Sequence, residues 1–405
     1  MIVHFEPASE EGIASVVRSA AAERVTLAVV GGGTRAGLGN PTRADRTLST
    51  RRLSGIVTYD PAEMTMSALA GTPLAEVEAA LHAKGQMLSF EPMDHRSIFA
   101  TTGEPTIGGV FAANVSGPRR YVAGAARDSL LGVRFVNGRG ELIKAGGRVM
   151  KNVTGLDLVK LMAGSYGTLG ILTEVTFKVQ PLPPAAATVV VSGLNDAEAA
   201  AVMAEAMAQP VEVSGASHLP ESVRSRFLDG VLPDGAATVL RLEGLAASVA
   251  IRAQKLGEKL SRFGRISQLD EAQTGTLWTE IRDVKPYADG TRRPLWRVSV
   301  APSAGHQLVA ALRLQTGVDA FYDWQGGLVW LRMEADPEAE LLRRYIGAVG
   351  GGHAALLRAD EEARGRIPAF EPQSPAVAQL SERIRAQFDP SGIFNPGRAA
   401  ALVQN

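Results

Sequence analysis

The feature that most constrains this sequence is a glycine-rich loop that directly follows an apolar run. Val25 to Val30 (VTLAVV) has the composition of a buried strand, and Gly31 to Asn40 (GGGTRAGLGN) follows it without a break. Because glycine has no Cβ atom, backbone N–H groups in such a loop can approach a phosphate closely. The pattern predicts a strand and a phosphate-binding loop, although a long turn that needs positive φ angles would use the same residues.

Two common phosphate-binding motifs do not fit this loop. Gly31, Gly33 and Ala36 have the spacing of the Rossmann fingerprint, which requires a helix to begin in the loop. Further glycines and Pro41 would break such a helix, and the STRR segment about 20 positions on lacks the expected acidic residue. A nucleoside triphosphate loop would need Lys and then Ser or Thr after Gly37, where the chain has Leu and Gly. We therefore expect a loop that binds phosphate without opening a helix.

Composition limits the partners and the chemistry of the chain. Its 405 residues predict two or three domains, and the equal numbers of basic and acidic residues (42 each) do not favour nucleic acid as a partner. The absence of cysteine excludes disulfides, a thiol nucleophile and iron–sulfur ligation by this chain. Without a signal peptide pattern or an apolar run of about 18 residues, a cytoplasmic protein is expected.

Capping residues and turn residues predict short helices and strands in the first part of the chain. Ser9 is predicted to cap a helix before the first strand, and Thr72 to cap another that ends before Gly85. The Asn-Gly pair at Asn137 predicts a β-hairpin. Residues 180–185 (QPLPPA) interrupt regular structure, because adjacent prolines fit neither a helix nor an interior strand. We place a domain boundary there, after a domain of residues 1–181.

The remaining residues predict a second domain and a C-terminal return. Residues 182–372 contain two βαβ-type halves with antiparallel returns, which predict an α+β cap domain built on one sheet. Residues 373–405 begin with a helix that Ser374 caps and Phe388 ends. Two small-residue segments, 106–117 (TIGGVFAANVSG) and 163–171 (AGSYGTLGI), indicate close backbone approach to a large flat ligand. A tight turn would also explain the first segment, but not the second.

In order and at matching intervals, these segments resemble the FAD-binding domain of the vanillyl-alcohol oxidase family, also called the PCMH type. Residues 151–175 (KNVTGLDLVKLMAGSYGTLGILTEV) contribute to the match. The resemblance covers about Phe5 to Pro181 and resumes at Phe388 to Arg398 (FDPSGIFNPGR). It implies an α+β protein with a PCMH-type two-subdomain FAD-binding domain, followed by an α+β cap domain with an antiparallel sheet.

The resemblance also assigns FAD contacts to individual residues. The loop residues that would wrap the pyrophosphate through their backbone N–H groups are Gly31, Gly32, Gly33, Thr34 and Arg35. The residues that would line the pyrophosphate, the ribityl chain and the isoalloxazine are Thr106, Ile107, Gly108, Gly109, Ala112, Asn114, Ser116 and Gly117. Gly170 and Ile171 would contact the adenine half, and Asn395 would approach the flavin ring. Asp128 and Lys151 match charged positions of the family, although surface ion pairs would explain them as well.

The sequence departs from the catalytic members of the family in two ways. No histidine or cysteine lies in the loop or near Gly117, so FAD is expected to be bound non-covalently. Members that oxidise 2-hydroxy acids carry clustered metal-binding histidines in the cap, whereas the six histidines here are widely separated. We therefore predict no metal site and name no catalytic residue. Arg292, Arg293 and Arg297 (in TRRPLWR) could clamp a carboxylate, or could belong to a solvated edge strand.

An FAD domain, a cap without metal-binding histidines and the cap segment LWRVSV together resemble the smaller FAD-binding subunit of bacterial glycolate oxidase. In that family a catalytic FAD subunit and an iron–sulfur subunit complete the complex, which agrees with the missing cysteines. The resemblance implies a structural or electron-transferring subunit of a complex that oxidises glycolate, a small hydroxyacid, to glyoxylate. Such a subunit would be cytoplasmic, or peripheral at the inner membrane through a partner.

Two alternatives remain open from the residues. The first is a stand-alone FAD-dependent oxidoreductase that acts on a small hydroxyacid or alcohol, with substrate contacts from Arg293, Arg297 or Tyr322. The second is an interaction module that keeps the fold without a cofactor. Flavin absorbance and substrate-driven flavin reduction separate these alternatives from the subunit hypothesis.

Overall fold

A computed structural model describes residues 3–147 and 156–399 of the chain. The strands, in chain order, are β1 (Val3–Phe5), β2 (Leu27–Val30), β3 (Arg46–Ser49), β4 (Ile56–Asp60), β5 (Thr65–Leu69), β6 (Gln86–Met87), β7 (Leu130–Val136), β8 (Leu142–Gly146), β9 (Ile171–Lys178), β10 (Gln180–Pro181), β11 (Ala185–Ser192), β12 (Val213–Leu219), β13 (Ala237–Gly244), β14 (Arg265–Leu269), β15 (Leu295–Val300), β16 (Val318–Asp323), β17 (Leu328–Met333) and β18 (Gly352–Arg358). The helices are α1 (Glu10–Glu23), α2 (Leu74–His82), α3 (Arg96–Phe99), α4 (Ile107–Ala112), α5 (Arg120–Ala123), α6 (Ala126–Ser129), α7 (Leu158–Met162), α8 (Asp196–Met207), α9 (Glu221–Arg224), α10 (Ala246–Leu260), α11 (Glu271–Arg282), α12 (Gly305–Arg313), α13 (Ala339–Ala348), α14 (Glu361–Arg366) and α15 (Pro375–Phe388).

The chain divides into two compact units. Unit 1 comprises Met1–Ser116, Ala123–Leu182 and Pro372–Asn405, and unit 2 comprises Gly117–Val122 and Pro183–Glu371. The small segment Gly117–Val122, which the sequence assigned to the first domain, therefore groups with unit 2. Within unit 2, Trp324 Nε1 donates to the carbonyl oxygen of Gly117 at 3.0 Å, and Arg119 forms an ion pair with Glu243 at 2.6 Å.

In the described residues, unit 1 contains two larger sheets with a shared core and the small two-stranded sheet β10-β6. A three-stranded parallel sheet has the order β1-β3-β2, and a five-stranded antiparallel sheet has the order β4-β5-β9-β7-β8. The amphipathic helix α1 places Ile13 and Val17 in a core cluster with Leu27 of the parallel sheet and Val136 and Ile171 of the antiparallel sheet. Burial of these apolar side chains from both sheets joins them into one unit.

Local predictions in unit 1 are mostly confirmed. Ser9 caps α1, because its Oγ accepts a hydrogen bond from the amide of Gly12 at 3.1 Å. The predicted hairpin at Asn137 is also present, since β7 and β8 pair in antiparallel register on either side of it. A loop without a helix follows β2, as predicted, and the next regular element is the strand β3.

The prediction that Thr72 caps α2 is wrong. The Thr72 hydroxyl donates to the carbonyl oxygen of Leu69 at 2.7 Å and accepts from the amide of Gly55 at 2.9 Å. This hydroxyl therefore holds the preceding turn, and α2 begins at Leu74 after Pro73 without a side-chain cap. Because proline has no N–H, this helix start has one fewer donor to satisfy.

Unit 2 is built on one antiparallel sheet, which confirms the predicted α+β cap. In the described residues its strand order is β14-β11-β13-β12-β16-β17-β15-β18. Helices α8 and α10 pack on one half of the sheet, and α12 and α13 pack on the other, each pair with its own hydrophobic core. Among the described residues, β12 and β16 pair at a single position, His218 with Tyr322, where the two halves meet.

Candidate functional site

The glycine loop after β2 forms part of a cleft within unit 1. The cleft encloses about 740 Å³ of empty space, part of which is open to solvent. The predicted site residues that line this cleft are Gly31, Gly32, Gly33, Thr34, Arg35, Thr106, Gly108, Gly109, Ala112, Gly170 and Ile171. Three segments that are far apart in the sequence are therefore brought together at one concave site. Their assignment to particular parts of FAD stays a prediction.

Close packing explains the glycines of the loop. A Cβ atom at Gly31 would lie 2.3 Å from Thr106 Oγ1, and one at Gly32 would lie 1.7 Å from the carbonyl oxygen of Glu104. Neither distance is compatible with a side chain, so the loop can pack against this neighbouring segment only with glycine. Gly33 has open space around it but a φ of +78°, which also favours glycine.

The segment that begins at Thr106 forms the second wall as the short helix α4. The Thr106 hydroxyl caps this helix by accepting from the amide of Gly109 at 3.3 Å. A Cβ atom at Gly108 would lie 2.6 Å from the Cβ of Ala70, at the end of β5. The glycine therefore lets α4 approach the antiparallel sheet, and Ala70 itself becomes part of the cleft lining.

Several predicted contact residues are not in the cleft lining. The Ile107 side chain is fully buried in the protein core. Asn114 Oδ1 accepts from the amide of Arg127 at 2.9 Å, and Ser116 Oγ accepts from the amide of Ala126 at 3.2 Å. Both polar side chains thus hold the start of α6 against the end of the α4 segment. Gly117 belongs to unit 2.

Asn395 is buried, at 1% exposure, behind the cleft wall. Its Oδ1 accepts from the amide of Val29 at 2.9 Å, and its Nδ2 donates to the carbonyl oxygens of Tyr166 at 2.8 Å and Gly167 at 3.3 Å. Since Val29, Tyr166 and Gly167 all line the cleft, Asn395 connects two wall segments through their backbones. Its approach to the flavin ring stays a prediction.

The sequence reasoning missed several lining residues. Tyr166 and Gly167 lie in the 163–171 segment, whose small residues already pointed to a ligand, so a broader assignment would have included them. Thr50 and Ala70 follow strands in stretches without any motif, and only the fold brings them to the cleft. Arg398 adds a second arginine to the lining.

The other charged candidates have structural contacts. Asp128 Oδ2 accepts from the amide of Ala125 at 2.8 Å, and Lys151 lies outside the described residues. In unit 2, the Arg297 guanidinium lies over the Trp324 ring at 4.9 Å. The expectation of a solvated edge strand is wrong for this arginine, because β15 lies between β17 and β18. Tyr322 is buried and donates its hydroxyl to Asp196 at 2.5 Å.

Arg35 is a partly buried cation that lines the cleft. Burial lowers the pKa of its guanidinium to about 10, and the neighbouring carboxylate of Asp94 only partly opposes this effect. The Arg35 Nε atom is buried and has no hydrogen-bond partner within the described residues. The cleft therefore combines glycine-rich backbone with a positive charge that Asp94 only partly balances, a combination suited to an anionic ligand.

The described residues contain neither a cluster of metal-ligating side chains nor a helix that could cross a membrane. Within residues 3–147 and 156–399, no three His, Asp or Glu side chains are grouped so that they could hold a metal ion. In the same part of the chain, none of the helices has the length and apolarity needed to cross a membrane.

Comparison with known proteins agrees with this site. Residues 2–146 match the family model described as an FAD binding domain. Over 391 residues the chain is 34% identical to glycolate oxidase subunit GlcE of Escherichia coli (strain K12), and the match covers 95% of each chain. The chain belongs to the family of glycolate oxidase subunit GlcE.

More distant proteins place this GlcE-family chain in a wider group. It is 28% identical over 427 residues to glycolate oxidase subunit GlcD of Bacillus subtilis (strain 168), a match that covers 98% of this chain and 88% of GlcD. The crystal structure of p-cresol methylhydroxylase with substrate bound has the same fold, with a TM-score of 0.69 and 14% identity. That superposition covers 99% of this chain and 89% of the hydroxylase. The PCMH-type fold predicted from the sequence is therefore confirmed, and FAD is the cofactor that the matched domain binds.

Proposed function

We propose that this chain is an FAD-binding subunit of a complex that oxidises glycolate, a small 2-hydroxyacid, to glyoxylate. The observation that carries the proposal is the glycine-lined cleft of unit 1 in a chain that matches GlcE over 95% of its length. The cleft has close backbone packing and a partly buried arginine with an unpartnered Nε atom, features that suit a dinucleotide diphosphate. FAD would be held non-covalently, since the loop contains neither histidine nor cysteine.

Different segments of the cleft would contact different parts of FAD. Gly31 to Arg35 would bind the diphosphate, Gly108 and Gly109 would border the ribityl and flavin portion, and Gly170 and Ile171 would contact the adenosine. The Asn395 side chain connects the wall segments that contain Val29 and Tyr166 by hydrogen bonds to their backbones. Bound FAD would supply a redox group that accepts electrons and passes them on within the complex.

We assign this chain a structural or electron-transferring role rather than the main catalytic one. A chain without cysteine cannot ligate iron–sulfur clusters, so electrons that leave its flavin would pass to another chain. The partners in this proposal are a catalytic FAD subunit and an iron–sulfur subunit, and the glycolate oxidase relatives are themselves named as subunits. The chain would act in the cytoplasm, or peripherally at the inner membrane through a partner subunit.

Reconstitution tests this proposal. The purified chain should show flavin absorbance bands, or acquire them with added FAD, and release FAD unchanged on denaturation. We expect it to reduce an artificial dye poorly with glycolate, and the activity to appear when the catalytic and iron–sulfur subunits are added. Rapid glycolate turnover by the chain alone would favour the stand-alone oxidoreductase, and a spectrum without flavin bands after FAD addition would exclude an FAD subunit.

A further inference from the structure

The side chain of Arg35 lies in the cleft against the first turn of α4. Arg35 lines the cleft, and its Nη1 atom lies 3.4 Å from the position that a Cβ atom would take at Gly109. Its Nη2 atom is 3.5 Å from the carbonyl oxygen of Met93, at the limit of a hydrogen bond. The guanidinium is therefore held near the glycines of both walls by weak contacts.

No carboxylate in the described residues forms an ion pair with Arg35. The nearest acidic neighbour is Asp94, which is engaged by Arg96 through several contacts, with Nε at 2.9 Å and Nη2 at 2.7 Å from Oδ2. A partly buried guanidinium that has one buried nitrogen without a partner and no carboxylate in ion-pair contact is costly, because its desolvation is only partly offset by Asp94. Such a group is stable in a fold chiefly when a ligand supplies the missing charge.

A diphosphate can supply the negative charge that the Arg35 guanidinium needs better than a carboxylate or a neutral ring can. A guanidinium offers a planar fork of N–H donors that matches phosphate oxygens, and charge-assisted bonds of this type are the strong ones. The glycines of the same loop supply backbone N–H groups but no charge. A diphosphate carries negative charge that backbone donors alone leave uncompensated.

We propose that the Arg35 guanidinium binds the diphosphate of FAD through its side chain and is its counter-charge in the cleft. This inference rests on the proposed function, since it assumes that FAD is the ligand. It adds a charged side-chain contact to a loop whose backbone N–H groups were predicted to bind the diphosphate. Arg35 thus determines how strongly the cleft selects a charged dinucleotide over an uncharged flavin.

Equilibrium titration of the full chain, freed of flavin, tests this role. The probes are FAD, ADP, which has the diphosphate without the flavin, and riboflavin, which has the flavin without phosphate. Arg35→Met should weaken the affinities for FAD and for ADP by about tenfold to a hundredfold, the range expected for a charged hydrogen bond. The affinity for riboflavin should not change. Arg35→Lys keeps the charge but not the fork, so its loss should be smaller. Arg46→Met, which breaks an exposed pair with Glu23, is the matched control and should change neither affinity.

Thermal melting of the flavin-free protein separates ligand binding from a structural role. Because Arg35 is unpaired in the cleft, Arg35→Met without flavin should melt at or above the wild-type temperature, and FAD should raise its melting temperature less than that of the wild type. A lower melting temperature with unchanged ADP affinity would make Arg35 structural and overturn the proposal. Loss of riboflavin affinity with normal ADP affinity would place the guanidinium at the flavin ring and also overturn it.

The two proposals fail in different ways. If wild-type protein binds no FAD, the proposed function fails, whatever the variants do. The other case is that wild-type protein binds FAD, and that Arg35→Met and Arg35→Lys bind FAD and ADP as tightly as wild type does. Only the assignment of Arg35 then fails.

Discussion

Asp196 in unit 2 allows a sharp prediction, because a buried carboxylate there holds several elements together. Its Oδ2 accepts from the hydroxyl of Tyr322 at 2.5 Å and from Nη1 of Arg313 at 2.7 Å, and its Oδ1 lies 3.4 Å from Nε2 of His218. These contacts join the start of α8 to α12 and to the strands β12 and β16, where the two halves of the sheet meet. Asp196→Asn removes the charge and keeps the shape of the side chain.

The size of the effect follows from the pKa of the Asp196 carboxyl. Burial alone would raise this pKa, but the contact with His218, the hydrogen bond from Tyr322 and the charge of Arg313 outweigh it and lower the pKa from 3.8 to about 2. A shift of this size corresponds to about 2.5 kcal/mol of stability at neutral pH. Because the folded-state pKa is depressed, this contribution is present above about pH 4 and falls to roughly half by pH 3.

Urea unfolding measured by tryptophan fluorescence suits this test, since all four tryptophans (Trp278, Trp296, Trp324 and Trp330) lie in unit 2. At pH 7, Asp196→Asn should lower the free energy of unfolding by about 2 to 3 kcal/mol, and this difference should shrink by about half at pH 3.

The matched control for this measurement is Asp234→Asn, which alters a fully exposed carboxylate paired with Arg224. We expect no measurable change in unfolding from this control, because exposed ion pairs contribute little to stability. A difference for Asp196→Asn that stays constant from pH 7 to pH 3, or its absence at pH 7, would refute the reasoning.

Four further substitutions test unit 1. Gly32→Ala would place a Cβ atom 1.7 Å from a backbone oxygen, so FAD affinity should fall about a hundredfold or more. Gly33→Ala meets only φ strain, so FAD affinity should fall about tenfold. Equal losses of affinity for the two variants in a flavin fluorescence titration would contradict the packing argument. Asn395→Ala leaves three backbone partners of the cleft wall unpaired and should lower the free energy of unfolding by about 3 kcal/mol, measured by circular dichroism. Ser9→Ala should cost about 1 kcal/mol in the same assay, and an unchanged midpoint would argue against the cap.

Elements with local signals were predictable. Ser9 marks the start of α1, and α15 begins at Pro375 and ends at Phe388 as predicted, because capping and proline geometry act within one turn of helix. Ser374 precedes α15, but its side chain makes no capping hydrogen bond, so the predicted cap is wrong. The strand β12 (Val213–Leu219) was not predicted, although all of it is buried. Its polar Ser217 and His218 do not suggest a core strand, and only partners on other strands satisfy them.

The residues alone predicted a helix-free glycine loop and an α+β cap, and their resemblance to a known family implied the FAD-binding domain. Glycine content and motif spacing are local properties, so the cleft residues Gly31 to Arg35 could be named without coordinates. Only the tertiary structure decided which polar side chains face the cleft and which support it. Asn395 illustrates the reason, since it bonds to the backbone of Val29, 366 positions away along the chain. Whether a side chain meets a ligand or a neighbour depends on the packing of such distant segments, which no local pattern records.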